Sequence, residues 1–275
     1  MAQTCYRHPN RETAVSCSNC GRPICPDCMT PTPVGMRCPE CARQRTKVVR
    51  NPTGDPGGRL GAFPATAALI GINVVVYLVS IATGPGGLDH PSGKIAVDYG
   101  LYGPFVAEGE WYRLITAGFL HAGLTHIAFN MLLLFFLGRL LEPALGTARF
   151  LVLYFASLLA GSFGALLLDP NTLTVGASGA VFGLFGAGFL LARARGMTAL
   201  ATEIGFLIVL NLAFTFGAQN ISVGGHLGGL AGGVVCALVI LAGERGMLGP
   251  RRREAELALM TGIALLAALG GIAVA

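Results

Sequence analysis

The stretch Gly176-Ala177-Ser178-Gly179-Ala180-Val181-Phe182-Gly183 sets a serine between glycines at the head of an apolar segment. Glycine and serine are common where membrane helices touch, because small side chains let two backbones approach each other closely. Taken alone, the stretch is therefore typical of a packing face between helices. The sequence on either side of it decides whether the serine does more.

The composition is that of a membrane protein. Of the 275 residues, 53% are hydrophobic and 12% are charged, and the mean hydropathy is +0.65. That charged fraction is about half of what a soluble domain carries. We therefore expect most of the chain to lie in lipid. The formal net charge of +5 is small, and its placement matters more than its size.

Seven apolar segments predict seven transmembrane helices, because a helix needs about 20 apolar residues to cross a bilayer. The fold class is therefore all-α and polytopic, with a membrane domain of residues 63–275. The segments run from Ala65 to Ala82, Leu124 to Leu141, Phe150 to Leu168, Ser178 to Ala192, Ala199 to Phe216, Gly224 to Ala242 and Leu257 to Val274.

Basic residues collect in alternate connections between these segments, as at Arg193 and Arg195, whereas the other connections carry acids such as Glu108 and Asp169 or no charge. The positive-inside rule then places the N-terminus in the cytoplasm and the C-terminus outside. The long connection of residues 83–123 is predicted to be an external loop.

The first 41 residues contain four ligand pairs with the spacing that lets two side chains reach one zinc ion. Because the spacer between the second and third pairs is short, we expect two interleaved sites. One zinc would bind Cys5, His8, Cys25 and Cys28, and the other would bind Cys17, Cys20, Cys38 and Cys41. This zinc-binding domain resembles a B-box or related treble-clef finger, although a B-box usually ends in histidines.

The cysteine-rich domain is expected in the cytosol. The first long apolar segment begins only near Phe63, which predicts a chain without a signal peptide and with reduced cysteines. Residues 42–62 read as a flexible linker that is rich in arginine, glycine and proline. We interpret the linker's basic charge as contact with anionic lipid, because a membrane segment follows at once, and expect no nucleic-acid partner.

Four polar residues are predicted at one depth near the external face. His126 and Asn130 begin the second segment, Ser178 begins the fourth and His226 begins the sixth, and all three segments run inward. A helix of about 15 residues from Ser178 measures about 22 Å, less than the ~30 Å hydrocarbon layer. We therefore expect Ser178 below the outer surface, in a cavity that water reaches.

Small-residue stripes predict that the fourth and sixth segments touch. Gly179, Gly183 and Ala187 form one stripe, and Gly225, Gly229 and Gly233 form the other. Their contact would bring Ser178 within hydrogen-bonding distance of His226.

The residue types at this depth predict nucleophilic catalysis. A serine hydroxyl is a weak nucleophile until an imidazole removes its proton, and His226 is the candidate base. Since no Asp or Glu is predicted at that depth, we expect a Ser–His dyad rather than a triad. Phe182 would hold the imidazole by stacking, and His126, Asn130 and the backbone N–H of Ser178 would donate to an oxyanion.

At this point the chain from about residue 63 onward resembles the rhomboid intramembrane serine proteases. The resemblance implies a six-helix catalytic core with an added seventh helix, Ser178 as nucleophile and His226 as base. It also implies supporting roles for His121 and Gly176 and a structural role for Glu142 in a cytosolic loop. The matching motifs are Trp111-Tyr112-Arg113, His121-x-x-x-x-His126-x-x-x-Asn130, Gly138-x-x-x-Glu142-x-x-x-Gly146, Gly176-x-Ser178-Gly179 with Gly183, and Gly225-His226-x-x-Gly229-x-x-x-Gly233.

By this resemblance, the substrates are transmembrane segments of other membrane proteins, cut near the external face of a bacterial plasma (inner) membrane. Two alternatives stay open: a catalytically inactive rhomboid-like scaffold that binds membrane clients, and a small-solute transporter. The zinc domain lies across the bilayer from the predicted site, so its expected role is docking of a cytosolic protein partner.

Overall fold

The computed structural model describes residues 3–32, 35–43, 63–84, 87–88, 93–218 and 221–275. The chain divides into two compact units, one within residues 1–54 and one within residues 55–275. The predicted basic linker of residues 42–62 lies almost wholly outside the described residues.

The N-terminal unit consists of short hairpins and turns around buried cysteines. Strands β1 (Gln3–Thr4) and β2 (Glu12–Thr13) pair antiparallel, and so do β3 (Thr30–Thr32) and β4 (Gly35–Arg37). A 3₁₀ turn at Pro26–Cys28 and the helix α1 (Pro39–Arg43) complete the unit. Ile24 is its one fully buried aliphatic side chain among the described residues, which is too small a core to stabilise a fold of this size by itself.

The second unit is helical, as the sequence predicts, and the chain is an all-α polytopic membrane protein. Within the described residues, six helices are long and apolar enough to cross a membrane, and a seventh, α8, has 17 residues. The helices are α2 (Pro64–Thr83), α6 (Leu124–Leu145), α7 (Thr147–Leu168), α8 (Ser178–Ala194), α9 (Thr198–Gly217), α10 (Val223–Glu244) and α11 (Arg252–Val274).

The segment between α2 and α6 is more ordered than a predicted loop. It contains the short helices α3 (Gly93–Tyr99), α4 (Gly103–Ala107) and α5 (Arg113–Thr116), followed by a 3₁₀ turn at Ala117–Phe119. Helices of four to seven residues are too short to produce a clear hydrophobic period, which is why the sequence gives no sign of them.

The helix α10 lies at the centre of the bundle, where it packs against both α7 and α8. The added helix α11 packs on α7, and α2 packs on α6. By contrast, α9 packs mainly against α8 and leaves most of its apolar side chains exposed, including Phe206, Val209 and Phe214. The structure therefore has a tightly packed centre and one weakly attached helix beside it.

Glu142 joins the end of α6 to two neighbouring helices. The helix α6 continues to Leu145, beyond the predicted end of this segment at Leu141, and Glu142 lies in its last turns, 1% exposed. Its carboxylate accepts the backbone N–H groups of Ala65 (2.9 Å) and Thr66 (2.8 Å), and the hydroxyls of Thr66 (2.7 Å) and Thr147 (3.0 Å). Glu142 thus caps the N-terminus of α2, whose first N–H groups have no partner within their own helix.

Candidate active site

Ser178 is the first residue of α8, and the extended segment before it is hydrogen-bonded to the connection between α2 and α6. Leu101 and Thr174 exchange backbone hydrogen bonds of 3.0 and 2.9 Å, and the Gly176 N–H donates to the Ala117 carbonyl (2.9 Å). Gly176 has φ of 133°, in the region that favours glycine. The fixed segment holds the hydroxyl of Ser178 at the head of its helix.

His226 lies in the first turn of α10, beside Ser178. The helix is capped by Ser222, whose hydroxyl accepts the N–H of Gly225 at 3.0 Å. The His226 Nε2 lies 2.8 Å from the Ser178 Oγ, a hydrogen-bond distance. Phe182, one turn after the serine, stacks on the imidazole with ring centroids 4.1 Å apart and an interplanar angle of 17°. Ser178 thus contacts one nitrogen of the His226 ring, and Phe182 covers one face of that ring.

The distance between Ser178 and His226 rests on contact between two backbones. A methyl group placed on Gly229 would lie 2.0 Å from the Gly179 carbonyl oxygen, and one on Gly233 would lie 1.9 Å from that of Gly183. These two predicted stripes therefore face each other with no side chain between them. Gly225 differs, because a methyl group there would face Ser222 instead.

A third contact to the imidazole was missed by the sequence analysis. The Thr215 Oγ1, at the C-terminal end of α9, lies 2.7 Å from the His226 Nδ1. A dyad is predicted when only carboxylates are counted as orienting groups, and a threonine hydroxyl can also occupy that position. The available signal was depth, because a residue near the end of α9 and a residue near the start of α10 share one level in an antiparallel pair.

His126 and Asn130 lie on α6 next to this pair. The His126 Nδ1 accepts the N–H of Ala122 at 3.4 Å, so its Nε2 carries the proton. A methyl group on Gly176 would lie 2.9 Å from that Nε2 and 3.6 Å from the Ser178 Oγ. The space that the glycine leaves open is thus bordered by a donor and by the serine hydroxyl. The Asn130 side-chain amide donates to the His126 carbonyl at 2.9 Å.

His121 lies behind His126, with ring centroids 5.1 Å apart in an edge-to-face contact. It is 1% exposed, and neither of its ring nitrogens has a hydrogen-bond partner among the described residues. Burial, with a smaller contribution from His126, lowers the pKa of His121 to about 3. His121 is therefore neutral, and within the described part of the chain its ring makes no hydrogen bond to Ser178.

Comparison with known proteins identifies the family. The family model of the Rhomboid domain matches residues 108–243. The chain is 41% identical over 139 residues to "Putative rhomboid protease YdcA" of Bacillus subtilis (strain 168), covering 49% of this chain and 69% of that protein. The chain belongs to the rhomboid family.

This rhomboid is also similar to "Rhomboid protease GluP" of Bacillus subtilis (strain 168), with 37% identity over 164 residues, 58% of this chain and 32% of that protein. A further relative is "Rhomboid-like protease 1" of Toxoplasma gondii, with 31% identity over 182 residues, 61% of each chain. The rhomboid thus spans about a third of the first of these two proteins and three fifths of the second.

The segment of the rhomboid between α2 and α6 is organised by Arg113, which is 3% exposed. Its guanidinium donates to the carbonyls of Val97 (2.6 Å) and Gly100 (2.8 Å) and pairs with Glu110. The Tyr112 hydroxyl, and then Arg113, lower the pKa of Glu110. Trp111, from the same Trp111-Tyr112-Arg113 motif, is instead 57% exposed.

The N-terminal unit, outside the matched domain, brings the eight predicted ligands together in the two expected groups. Cys5, His8, Cys25 and Cys28 form one group, and Cys17, Cys20, Cys38 and Cys41 form the other, with all ligand atoms of a group within 4.8 Å of one another. The sulfurs of Cys25 and Cys28 lie 3.3 and 3.4 Å from the His8 Nδ1, and the sulfurs of Cys20 and Cys38 lie 3.8 Å apart.

The chemistry of both groups fits zinc. Ligands about 2.3 Å from a tetrahedral ion are about 3.7 Å apart, close to the separations found here. The N–H of Cys38 donates to the Cys17 sulfur at 3.3 Å and lowers the pKa of Cys17 to about 6. Burial, together with neighbouring sulfurs, raises the pKa of Cys28 to about 11. A divalent cation would offset that cost by holding all the sulfurs as thiolates.

Proposed function

We propose that the chain is an intramembrane serine endopeptidase that cleaves transmembrane segments of other membrane proteins near the external face. The observation that carries the proposal is the 2.8 Å contact between the Ser178 Oγ and the His226 Nε2. A serine hydroxyl beside an imidazole nitrogen that can accept its proton is the minimal arrangement for covalent acyl transfer.

The proposed reaction proceeds through an acyl-enzyme. His226 Nε2 takes the hydroxyl proton as the Ser178 Oγ forms a bond to the scissile carbonyl carbon. The imidazolium then gives that proton to the leaving amine as the C–N bond breaks. In the second half, His226 takes a proton from water as the water oxygen attacks the ester carbon, and it returns that proton to the Ser178 Oγ as the C–Oγ bond breaks and the carboxylic acid product leaves. Each half begins and ends with a neutral imidazole.

The negative charge of each tetrahedral intermediate needs donors already in place. The Nε2–H of His126 borders the open space at Gly176 next to the serine. The N–H of Ser178 is free for this purpose because it begins a helix. Asn130 is the weakest of the predicted donors, since its amide donates to the His126 carbonyl. The second N–H of that amide group is its remaining donor toward an oxyanion.

A catalytically inactive scaffold is the alternative, and the site argues against it. A scaffold that only binds clients does not need a serine hydroxyl within hydrogen-bond distance of an imidazole, nor a phenyl ring stacked on that imidazole. The decisive experiment compares the wild-type protein with Ser178→Ala on a transmembrane reporter in liposomes. We expect the variant to fold and to lose cleavage. Undiminished cleavage by Ser178→Ala would refute the proposal.

Labelling of the serine gives an independent test of the same proposal. A fluorophosphonate probe reacts with an activated serine and does not require a protein substrate. We expect labelling of the wild-type protein and none of Ser178→Ala or His226→Ala. Labelling of His226→Ala at the wild-type rate would mean that the histidine does not activate the serine.

For the N-terminal unit, we propose two structural zinc ions, each bound by one of the two ligand groups, in a domain resembling a B-box or treble-clef finger. The ligand set of three or four sulfurs is typical of structural zinc rather than catalytic zinc, which keeps an open position. A cytosolic protein partner for this domain, a cytoplasmic N-terminus, an external C-terminus and a bacterial plasma membrane stay predictions of the sequence.

A further inference from the structure

Thr215 has surroundings that set it apart from the rest of α9. The outer part of that helix presents apolar side chains outward, with Phe214 and Phe216 68% and 65% exposed, yet Thr215 between them is 2% exposed. Within the described residues, it is the one polar residue of α9 that is buried. Its hydroxyl lies against the edge of the His226 ring, opposite to the edge that meets Ser178.

The direction of the Thr215 hydroxyl proton follows from a second contact. The Thr215 Oγ1 lies 2.7 Å from the carbonyl oxygen of Asn211, one turn earlier. A carbonyl can only accept and a hydroxyl has one proton, so both contacts of the Thr215 oxygen are hydrogen bonds only when that proton points to Asn211 and the imidazole donates to the oxygen. Thr202 on the same helix and Thr83 on α2 make the same bond to their own helix, at 3.0 and 2.8 Å. The bond is therefore an ordinary property of a threonine in an apolar helix.

The commitment of that proton determines which nitrogen of His226 carries hydrogen. The Thr215 oxygen faces the imidazole with its lone pairs, so the Nδ1 of His226 must be the protonated nitrogen that donates to it. A neutral imidazole has one N–H. The Nε2 is then left without a proton, and it is the nitrogen 2.8 Å from the Ser178 hydroxyl.

We propose that Thr215 is a positioning residue for the cleavage reaction, holding His226 in the tautomer that can accept the proton of Ser178. The inference rests on the proposed protease function and extends it from a dyad to a Ser–His–Thr relay of hydrogen bonds. The threonine keeps its own proton throughout, and its oxygen accepts the Nδ1–H bond in both the neutral and the protonated imidazole.

Among the described neighbours of His226, Thr215 is the residue that contacts the Nδ1. Ser178 and Phe182 approach the imidazole from α8, and His126 is the other titratable group nearby, on α6. Among the described residues, none of these is a carboxylate, and none contacts the Nδ1. Without the threonine oxygen, a buried imidazole has no reason to prefer the productive tautomer, and its Nδ1–H loses its acceptor.

The test measures steady-state cleavage of a transmembrane reporter by the full-length protein and four variants. Thr215→Val has nearly the same shape without the hydroxyl, and Thr215→Ser keeps the hydroxyl. Thr202→Val is the matched control, because it removes the same bond to the helix backbone at an exposed position. Ser178→Ala gives the background. Thermal unfolding of each variant reports on the fold.

We expect Thr215→Val to lower kcat about 10- to 100-fold with KM within about twofold, the loss that follows from one unsatisfied buried N–H. Thr215→Ser should restore kcat to within about threefold of the wild type, and Thr202→Val should leave it unchanged. If Thr215→Val unfolds, the pair Thr215→Ser and Thr215→Ala replaces it, since the two differ by one oxygen atom.

The outcomes separate this inference from the proposed function. Ser178-dependent cleavage with equal kcat for the wild type and Thr215→Val would overturn the positioning role alone. A rise in KM without a change in kcat would also overturn it, because that result indicates a role in substrate binding. Cleavage that persists in Ser178→Ala would overturn the protease function and this inference together.

Discussion

Gly176 meets two requirements that a residue with a side chain cannot meet together. Its φ of 133° lies where an L side chain is strained, and a methyl group there would lie 2.8 Å from the His126 ring. The first requirement turns the chain into α8, and the second leaves space beside Ser178. The residue therefore matters both for the path of the backbone and for the room that a reacting carbonyl needs.

Gly176→Ala tests both requirements at once. Backbone strain of about 1–3 kcal/mol and filling of the space next to Ser178 should lower kcat/KM more than about tenfold. Gly109→Ala is the control, since Gly109 also has positive φ (102°) but has nothing within 4 Å of the added carbon. Unfolding curves should show a similar loss in the free energy of unfolding for the two variants, and cleavage assays should show a larger loss of activity for Gly176→Ala. Equal activity would mean that the space at Gly176 is not used.

Among the helices, the contact of α8 with α10 determines the spacing of the site. Gly183 and Gly233 are so close that a methyl group on Gly233 would lie 1.9 Å from a carbonyl oxygen and 2.5 Å from a Cα atom. Backbone atoms, unlike side chains, cannot relieve such a clash by changing rotamer. A larger residue must push the two helices apart, and the distance between Ser178 and His226 must grow with them.

Gly233→Ala should therefore reduce both stability and cleavage. We expect a loss of about 1–3 kcal/mol in the free energy of unfolding, as for other overpacked interiors. Fluorophosphonate labelling of Ser178 should slow in parallel, although position 233 is two turns away from His226. Gly262→Ala on α11 is the control, because nothing lies within 4 Å of its added carbon. Wild-type labelling by Gly233→Ala would show that the contact tolerates expansion.

Glu142 connects three helices through one carboxylate, since its partners lie on α2 and at the start of α7. Glu142→Gln replaces one acceptor oxygen with an NH₂ group facing donors, which should cost about 1–3 kcal/mol of unfolding free energy. Denaturation in detergent measures the loss. Glu203→Gln, at an exposed position of α9, should leave stability unchanged. Equal stability of the two variants would mean that the Glu142 cap is dispensable.

At the scale of the whole molecule, the two units depend on different forces. The membrane unit buries large aliphatic and aromatic side chains, whereas the core of the N-terminal unit is mostly sulfur. We expect about two zinc ions per purified chain, and about one after Cys20→Ser, by elemental analysis. Cys236→Ser removes the one cysteine outside both groups and should keep two. Zinc near zero in the wild-type protein would contradict the assignment.

The sequence predicts whatever depends on order along the chain. The seven apolar segments, the shortness of α8 and the sorting of eight ligands into two groups follow from spacing and hydropathy. It does not predict the contact of Thr215 with His226, because α9 is apolar on nearly all sides and its pattern does not define the face that turns inward. The cap formed by Glu142 is hidden for a similar reason, since its partners lie 76 and 77 residues away.

The glycine contact between α8 and α10 has a consequence for the timing of reactivity. Because the spacing of Ser178 and His226 is set by main-chain atoms, it does not depend on any side-chain rearrangement when a substrate binds. The nucleophile would be as reactive in the resting protein as in the complex. Under the proposed function, selection among the many helices of a membrane would then occur at entry, through how readily a segment leaves the lipid and unwinds to reach the serine.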